Sequence, residues 1–244
     1  MNQHTNILAA ALAALAVFAA DAGAQSKGGS GTTSTSTGGP VAIDQAKADA
    51  GGVSSDDAPG FPITISQPGS YRLMSNLVVT STATTAIVIT SPGVTLDLNG
   101  FEIRGPNNCT GGGTMLSCPS LSLPANAIRG HGIDVAVNTE APASVMVENG
   151  AVRGFAGHGL HASGQMYNYS VRRLRVSHSG IYGINAGAKV IDSVIERNAM
   201  GGIYAAAGVT ANLVMFNKGP GIIASLARSN AQWNNGADNS ASYD

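Results

Sequence analysis

Beyond residue 61 the apolar positions fall in short runs, rich in Val and Ile and cut by Gly, Asn or Ser. Runs of this length and composition predict β-strands of three to five residues. No segment there holds ten residues of clean 3.6-residue periodicity with caps, so helices do not supply the core. The runs also recur in register. Val147, Val171, Val190 and Val209 are each followed five residues later by Val152, Val176, Ile195 and Val214. Twelve residues on stand Gly159, Gly183, Gly202 and Gly221, and at thirteen come Leu160, Ile184, Ile203 and Ile222.

Three short strands per unit, repeated without slipping, stack into parallel sheets whose inward side chains form continuous columns. Val over Val and Ile over Ile then bury one another at the ~4.8 Å strand spacing. The predicted fold is therefore all-β: a single right-handed parallel β-helix over residues 61–236, the hand following from parallel crossovers. A leucine-rich repeat would show Leu at several fixed positions, and a hexapeptide coil an apolar residue at every sixth; neither pattern is present. The eighth position reads Phe155, Ser179, Asn198 and Asn217, which predicts a structural asparagine ladder in a stacked turn. Carried past Val209, the register puts Arg228 where the inward valine belongs and Trp233 at the five-position. The expectation is that the column stops there and Trp233 covers the last apolar layer.

The remaining segments read differently. Residues 1–24 carry an apolar stretch from Ile7 to Ala20 and an Ala22-Gly23-Ala24 cleavage pattern, although positively charged residues are missing before it. They predict a signal peptide, too short for a stable membrane span, and a secreted or periplasmic mature chain. Residues 25–60 are rich in Gly, Ser and Thr and predict a flexible linker. The pair Asp56-Asp57 falls in it, and a flexible support argues against catalysis there. Residues 237–244 read as a polar tail. Cys109 and Cys118, nine residues apart in an oxidising compartment, predict a disulfide stapling a Gly-rich loop.

Charge narrows the partners. With 13 Lys+Arg against 14 Asp+Glu there is no excess to draw the chain to nucleic acid. A monomer without cofactor or metal is expected. His158 and His161 form an H-x-x-H with His131 one rung away, but two histidines on turns are read as solvated rather than as metal ligands. Arg172, Arg173 and Arg175 read as a solvated edge, with Arg172 beside Glu148.

The stretches FPITISQPGSYRLMSNLVVTS (61–81), GVTLDLNGFEIRGP (93–106) and SVMVENGAVRGF (144–155) carry a resemblance. They resemble bacterial right-handed parallel β-helix repeat proteins of the pectin-lyase-like superfamily, which includes NosD-like carbohydrate-binding and sugar-hydrolase domains. The resemblance implies the fold and a carbohydrate setting; the scaffold itself hosts many activities. Gly130-His131-Gly132 and Gly157-His158-Gly159 match the Gly-His-Gly element of polygalacturonase-type hydrolases. The paired aspartates do not follow, since only Asp134 falls on that sheet. The acidic cluster of a pectate-lyase-like calcium site is also missing, because the neighbouring rungs offer His161 and Asn185.

Strand alternation points to a candidate site. If the isoleucine of each Gly-Ile pair faces inward, the next residue faces out. Asp134, His161, Asn185, Tyr204 and Ile223 then form one outward column, and three rungs cover roughly 10 Å, about two sugar units. The first four are the ligand-binding candidates, and polysaccharide is the expected partner along this face, with processing there left as an open role. The alternative is a noncatalytic structural or surface module. Insertions 135–146 and 161–170 and the stapled loop 106–126 are expected to wall the strip, with Tyr167 and Tyr169 closing over a chain.

Overall fold

In the computed structural model, residues 38–137, 144–162, 168–236 and 240–241 are described. They belong to one compact unit, Gly38–Asp244. Residues 1–37, which hold the expected signal peptide and the first part of the expected linker, lie outside the described residues. Among the described residues no helix is long and apolar enough to cross a membrane.

The chain is a parallel β-helix. Its 19 described strands join in one continuous parallel sheet that winds around a single core. The columns are those predicted. Val147 pairs with Val171, Val171 with Val190, and Val190 with Val209. Val152, Val176, Ile195 and Val214 form the second column. Ile133, Leu160, Ile184, Ile203 and Ile222 form the third. All of these side chains have zero exposure. The recurring glycine before the third column has a packing cause. A Cβ on Gly202 would meet Val214 Cγ1 at 2.5 Å and the Gly221 carbonyl oxygen at 2.4 Å, so the strand approaches too closely for any side chain.

Two corners per rung turn through one residue in the left-handed region. His178, Arg197, Phe216 and Asn234 occupy one corner column, with φ between 52° and 58°. The asparagine ladder follows directly after them. Asn217 Oδ1 accepts from the backbone N–H of Asn198 at 3.0 Å, and Asn217 Nδ2 donates to Asn235 Oδ1 at 2.9 Å. A second ladder, Ser193–Asn212–Asn230, lines the other corner: Ser193 N–H donates to Asn212 Oδ1 at 2.9 Å and Asn212 N–H to Asn230 Oδ1 at 3.0 Å. These bonds satisfy backbone donors that the turn takes out of the sheet.

Three expectations are corrected. Residues 41–60 do not form a linker. Val41–Ile43 pairs with Gly69–Leu73, and the helix Gln45–Ala50, capped by Asp44, places Ala48 in the core. Buried Asp57 accepts from the N–H groups of Val53 and Thr64 at 2.9 and 2.7 Å, which ties this segment to the first rung. It caps the coil, as the ends of stacked repeats require.

The second correction concerns Arg228. An irregularity between Ala205 and Gly208 shortens the next rung by one residue, so Val209 pairs with Ala227 and Thr210 with Arg228. Ala227 continues the column at 1% exposure, and Arg228 faces solvent. Gln232, not Trp233, pairs with Val214, and Trp233 is 66% exposed rather than a cover. Its ring lies 5.2 Å from that of Phe216. In the region expected to be a tail, Ser240–Ala241 adds a further short strand beside Ile223 and Ala224.

Third, Tyr169 closes over nothing. It pairs with Val145 and points into the core at 2% exposure. Tyr167 lies outside the described residues, as do 138–143 and 163–167 in the two insertions. The Cys109–Cys118 disulfide is present, and both cysteines pack with Leu116 and Ala199 in a small apolar cluster. The contacts holding this loop run along the ladder corner: Asn107 Nδ2 donates to the His178 carbonyl at 2.9 Å, and Gly113 N–H to that of Phe216 at 2.8 Å.

Candidate functional site

Each strand of the third column sends the residue after its inward Leu or Ile to the outer face. Asp134 pairs with His161, His161 with Asn185, Asn185 with Tyr204, and Tyr204 with Ile223. The four predicted residues therefore stand in consecutive rungs. His161 Nδ1 lies 2.8 Å from Asp134 Oδ1, with about a quarter of each side chain exposed. The Nδ1–H donates to the carboxylate, which fixes the orientation of the ring. Tyr204 is 48% exposed at the other end.

A second outward row was not recognised as part of the site from the sequence. It holds the residue two before each inward position: His131, His158 and Tyr182. The rings of His131, His158 and His161 stack on one another with centroids 4.7–5.3 Å apart and planes within 15°. Tyr182 continues the run 6.0 Å from His158, and Tyr204 lies 5.6 Å beyond it. The available signal was the residue just before the recurring glycine, which is bulky in three consecutive rungs: His131 before Gly132, His158 before Gly159 and Tyr182 before Gly183.

The reading of the His158/His161 pair as solvated turn residues is corrected: His161 lies in the strand Leu160–Ala162, and His158 is buried, at 7% exposure. His131 Nδ1 accepts from the His158 backbone N–H at 3.0 Å, and His158 Nδ1 accepts from that of Tyr182 at 3.2 Å. Each neutral ring thus carries its proton on Nε2. The Asn185 amide stands 3.3 Å from His158 Nε2, and its oxygen is the end suited to accept that proton. With the Nδ1 atoms turned to the backbone and the rings parallel, their lone pairs do not converge. Among the described residues no three His, Cys, Asp or Glu side chains are grouped to hold a metal ion.

Electrostatics follow from the crowding. Burial, then the neighbouring imidazoles of His131 and His161, hold His158 down to about 3. Burial and His161 likewise lower His131. Burial, with the Asp134 charge adding to it, pushes the Tyr169 phenol up and keeps it neutral. An unfolded chain protonates its imidazoles near pH 6.5, whereas folded His158 stays neutral down to about 3. Between those values the unfolded state binds the extra proton, so stability is full above pH 6.5 and declines as pH falls. The slope for one such group is about 1.4 kcal/mol per pH unit. His158→Asn, whose Oδ1 can replace Nδ1 as acceptor, should remove about one proton from this slope. Urea unfolding at pH 7, 6 and 5 measures it, and equal slopes in the two proteins would refute the assignment.

The arginine edge divides. Arg172 Nε donates to Glu148 at 2.8 Å as its register implies, and Arg173 reaches the same carboxylate. Arg175 instead donates from Nε to Glu196 at 2.8 Å.

Chemically, the strip can offer a carboxylate-supported imidazole, an amide and a half-exposed tyrosine ring. A base at His161 Nε2 is available, and the imidazolium it forms would be balanced by Asp134. Among the described residues no second carboxylate faces Asp134 from this sheet, so the acid–base pair of a glycoside hydrolase is not assembled here. Comparison with known proteins finds no family, no curated protein and no solved structure that matches the chain.

Proposed function

We propose that the protein binds polysaccharide along the outer face of the Gly-Ile sheet, with Asp134, His161, Asn185 and Tyr204 as the contact strip. The observation that carries this reading is the register itself. It brings an oriented imidazole, an amide and an exposed aromatic ring onto one straight strip at ~4.8 Å steps. A saccharide offers hydroxyl edges to the first two and an apolar ring face to the third. With the Asp134 carboxylate on the strip, an uncharged sugar chain suits it better than a polyanion. The apolar segment Ile7–Ala20 and the disulfide support secretion. The parallel coil supports kinship with the pectin-lyase-like proteins.

Screening the protein against neutral and acidic glycans tests the reading. A neutral glycan should bind, and His161→Ala and Tyr204→Ala should each weaken it by about 1 kcal/mol or more, roughly fivefold. Thermal stability should hardly change, since both side chains are at least partly exposed. Full affinity in both variants would place the groove elsewhere. A panel with no binder would favour a noncatalytic structural module.

A further inference from the structure

The second sheet, which carries Val152, Val176 and Ile195 inward, presents a different chemistry outward. A cavity of about 340 Å³ there is lined by Glu102, Arg153, Arg175, His178, Glu196 and Arg197, with Ala151 and Ser177. Glu196 is buried, and it pairs with both Arg175 and Arg197. Arg153 has no carboxylate partner among the described residues, and Arg104 pairs with it directly in the adjacent rung. Three guanidiniums thus face two carboxylates, and a fourth stands alongside.

Two polar atoms at this cavity are buried without a hydrogen-bond partner, Arg153 Nε and His178 Nδ1. A native structure rarely leaves buried groups unsatisfied, and a guanidinium N–H has no use for another donor. What it lacks is an acceptor, preferably anionic. Burial first, and then the charges of Arg153 and Arg197, hold His178 down to about 4 against the opposing Glu196.

The surroundings narrow the ligand. Arg197 Cζ lies 5.0 Å above the Phe216 ring, and the Phe216 and Trp233 rings are 5.2 Å apart. Trp233 stands two rungs from Glu196 in the same column, through Met215. An anion site therefore continues into an exposed aromatic surface about 10 Å away.

We propose that the cavity bounded by Arg153, Arg175, Arg197 and His178 is an oxyanion site, which takes the carboxylate or sulfate group of an acidic saccharide whose neighbouring ring lies on Trp233. This site is on a different sheet from the Asp134–Tyr204 strip and does not depend on it.

Trp233 is the sole tryptophan of the chain and so reports on the site directly. Its fluorescence would be followed while titrating a uronate trisaccharide, a sulfated trisaccharide and a neutral trisaccharide. At least one charged trisaccharide should give a saturable change, and the neutral one none; which charged probe responds identifies the carboxylate or the sulfate. Arg153→Gln should weaken that response at least tenfold, with the circular dichroism spectrum confirming the fold. Arg228→Gln, on another sheet, and Tyr204→Ala should leave it unchanged. Silence toward both charged probes, an equal response to the neutral one, or full affinity in Arg153→Gln would overturn the proposal.

Discussion

Val190→Asp is expected to leave the coil unfolded at room temperature. Val190 has no exposure and lies between Val171 and Val209 in the inward column. The substitution removes apolar burial worth roughly 2 kcal/mol. It also places a carboxylate among aliphatic side chains, where nothing pairs with it. The combined loss, more than about 5 kcal/mol, is comparable to the whole stability of a domain of this size. Ala227→Asp should behave in the same way, because the short rung puts Ala227 and not Arg228 in that column. Arg228→Ala should cost less than about 0.5 kcal/mol, as expected of a solvent-facing side chain. Circular dichroism and thermal melts of the three variants decide the matter. A folded Ala227→Asp beside an unfolded Arg228→Ala would reverse the register.

Asn217→Ala should be the next most damaging. Its side chain accepts from the backbone and side-chain N–H groups of Asn198 and donates to the Ile195 carbonyl and Asn235 Oδ1. Alanine leaves the buried Asn198 donors and the Ile195 acceptor unsatisfied at a corner already holding Phe216 at φ 57°. An unpaired buried polar group costs about 1–3 kcal/mol, so a total on the order of 3 kcal/mol is expected. Urea titration measures it, and a loss below about 1 kcal/mol would mean that the ladder does not hold the corner.

The columns were legible because a parallel coil repeats one inward position per strand, and Val, Ile and Leu mark that position directly. The strip followed from the same fact. His161 must face out if Leu160 faces in, and Asp134, His161, Asn185 and Tyr204 pair in consecutive rungs. Three features escaped for physical reasons. The irregularity after Ala205 lies among small residues that do not reveal which way they point. The N-terminal cap was hidden by averaging composition over residues 25–60, although Asp44 before QAKADA is a capping signal. The second asparagine ladder begins at Ser193, and a serine among many offers little contrast.

The run of bulky residues before the recurring glycine marks the positions of the histidine stack but not its geometry. His131 and His158 follow a glycine at a strand entrance, where a solvated turn was the ordinary reading. Only the stacking of the rungs brings both rings onto His161.

The most direct test of the strip is a nuclear magnetic resonance titration of the protein with selectively labelled histidine imidazoles, adding a neutral oligosaccharide that binds. The account predicts that the His161 ring shifts most, with smaller changes at His158 and His131 and none at His178 on the other sheet. Changes confined to His178, with the three stacked rings unmoved, would contradict it.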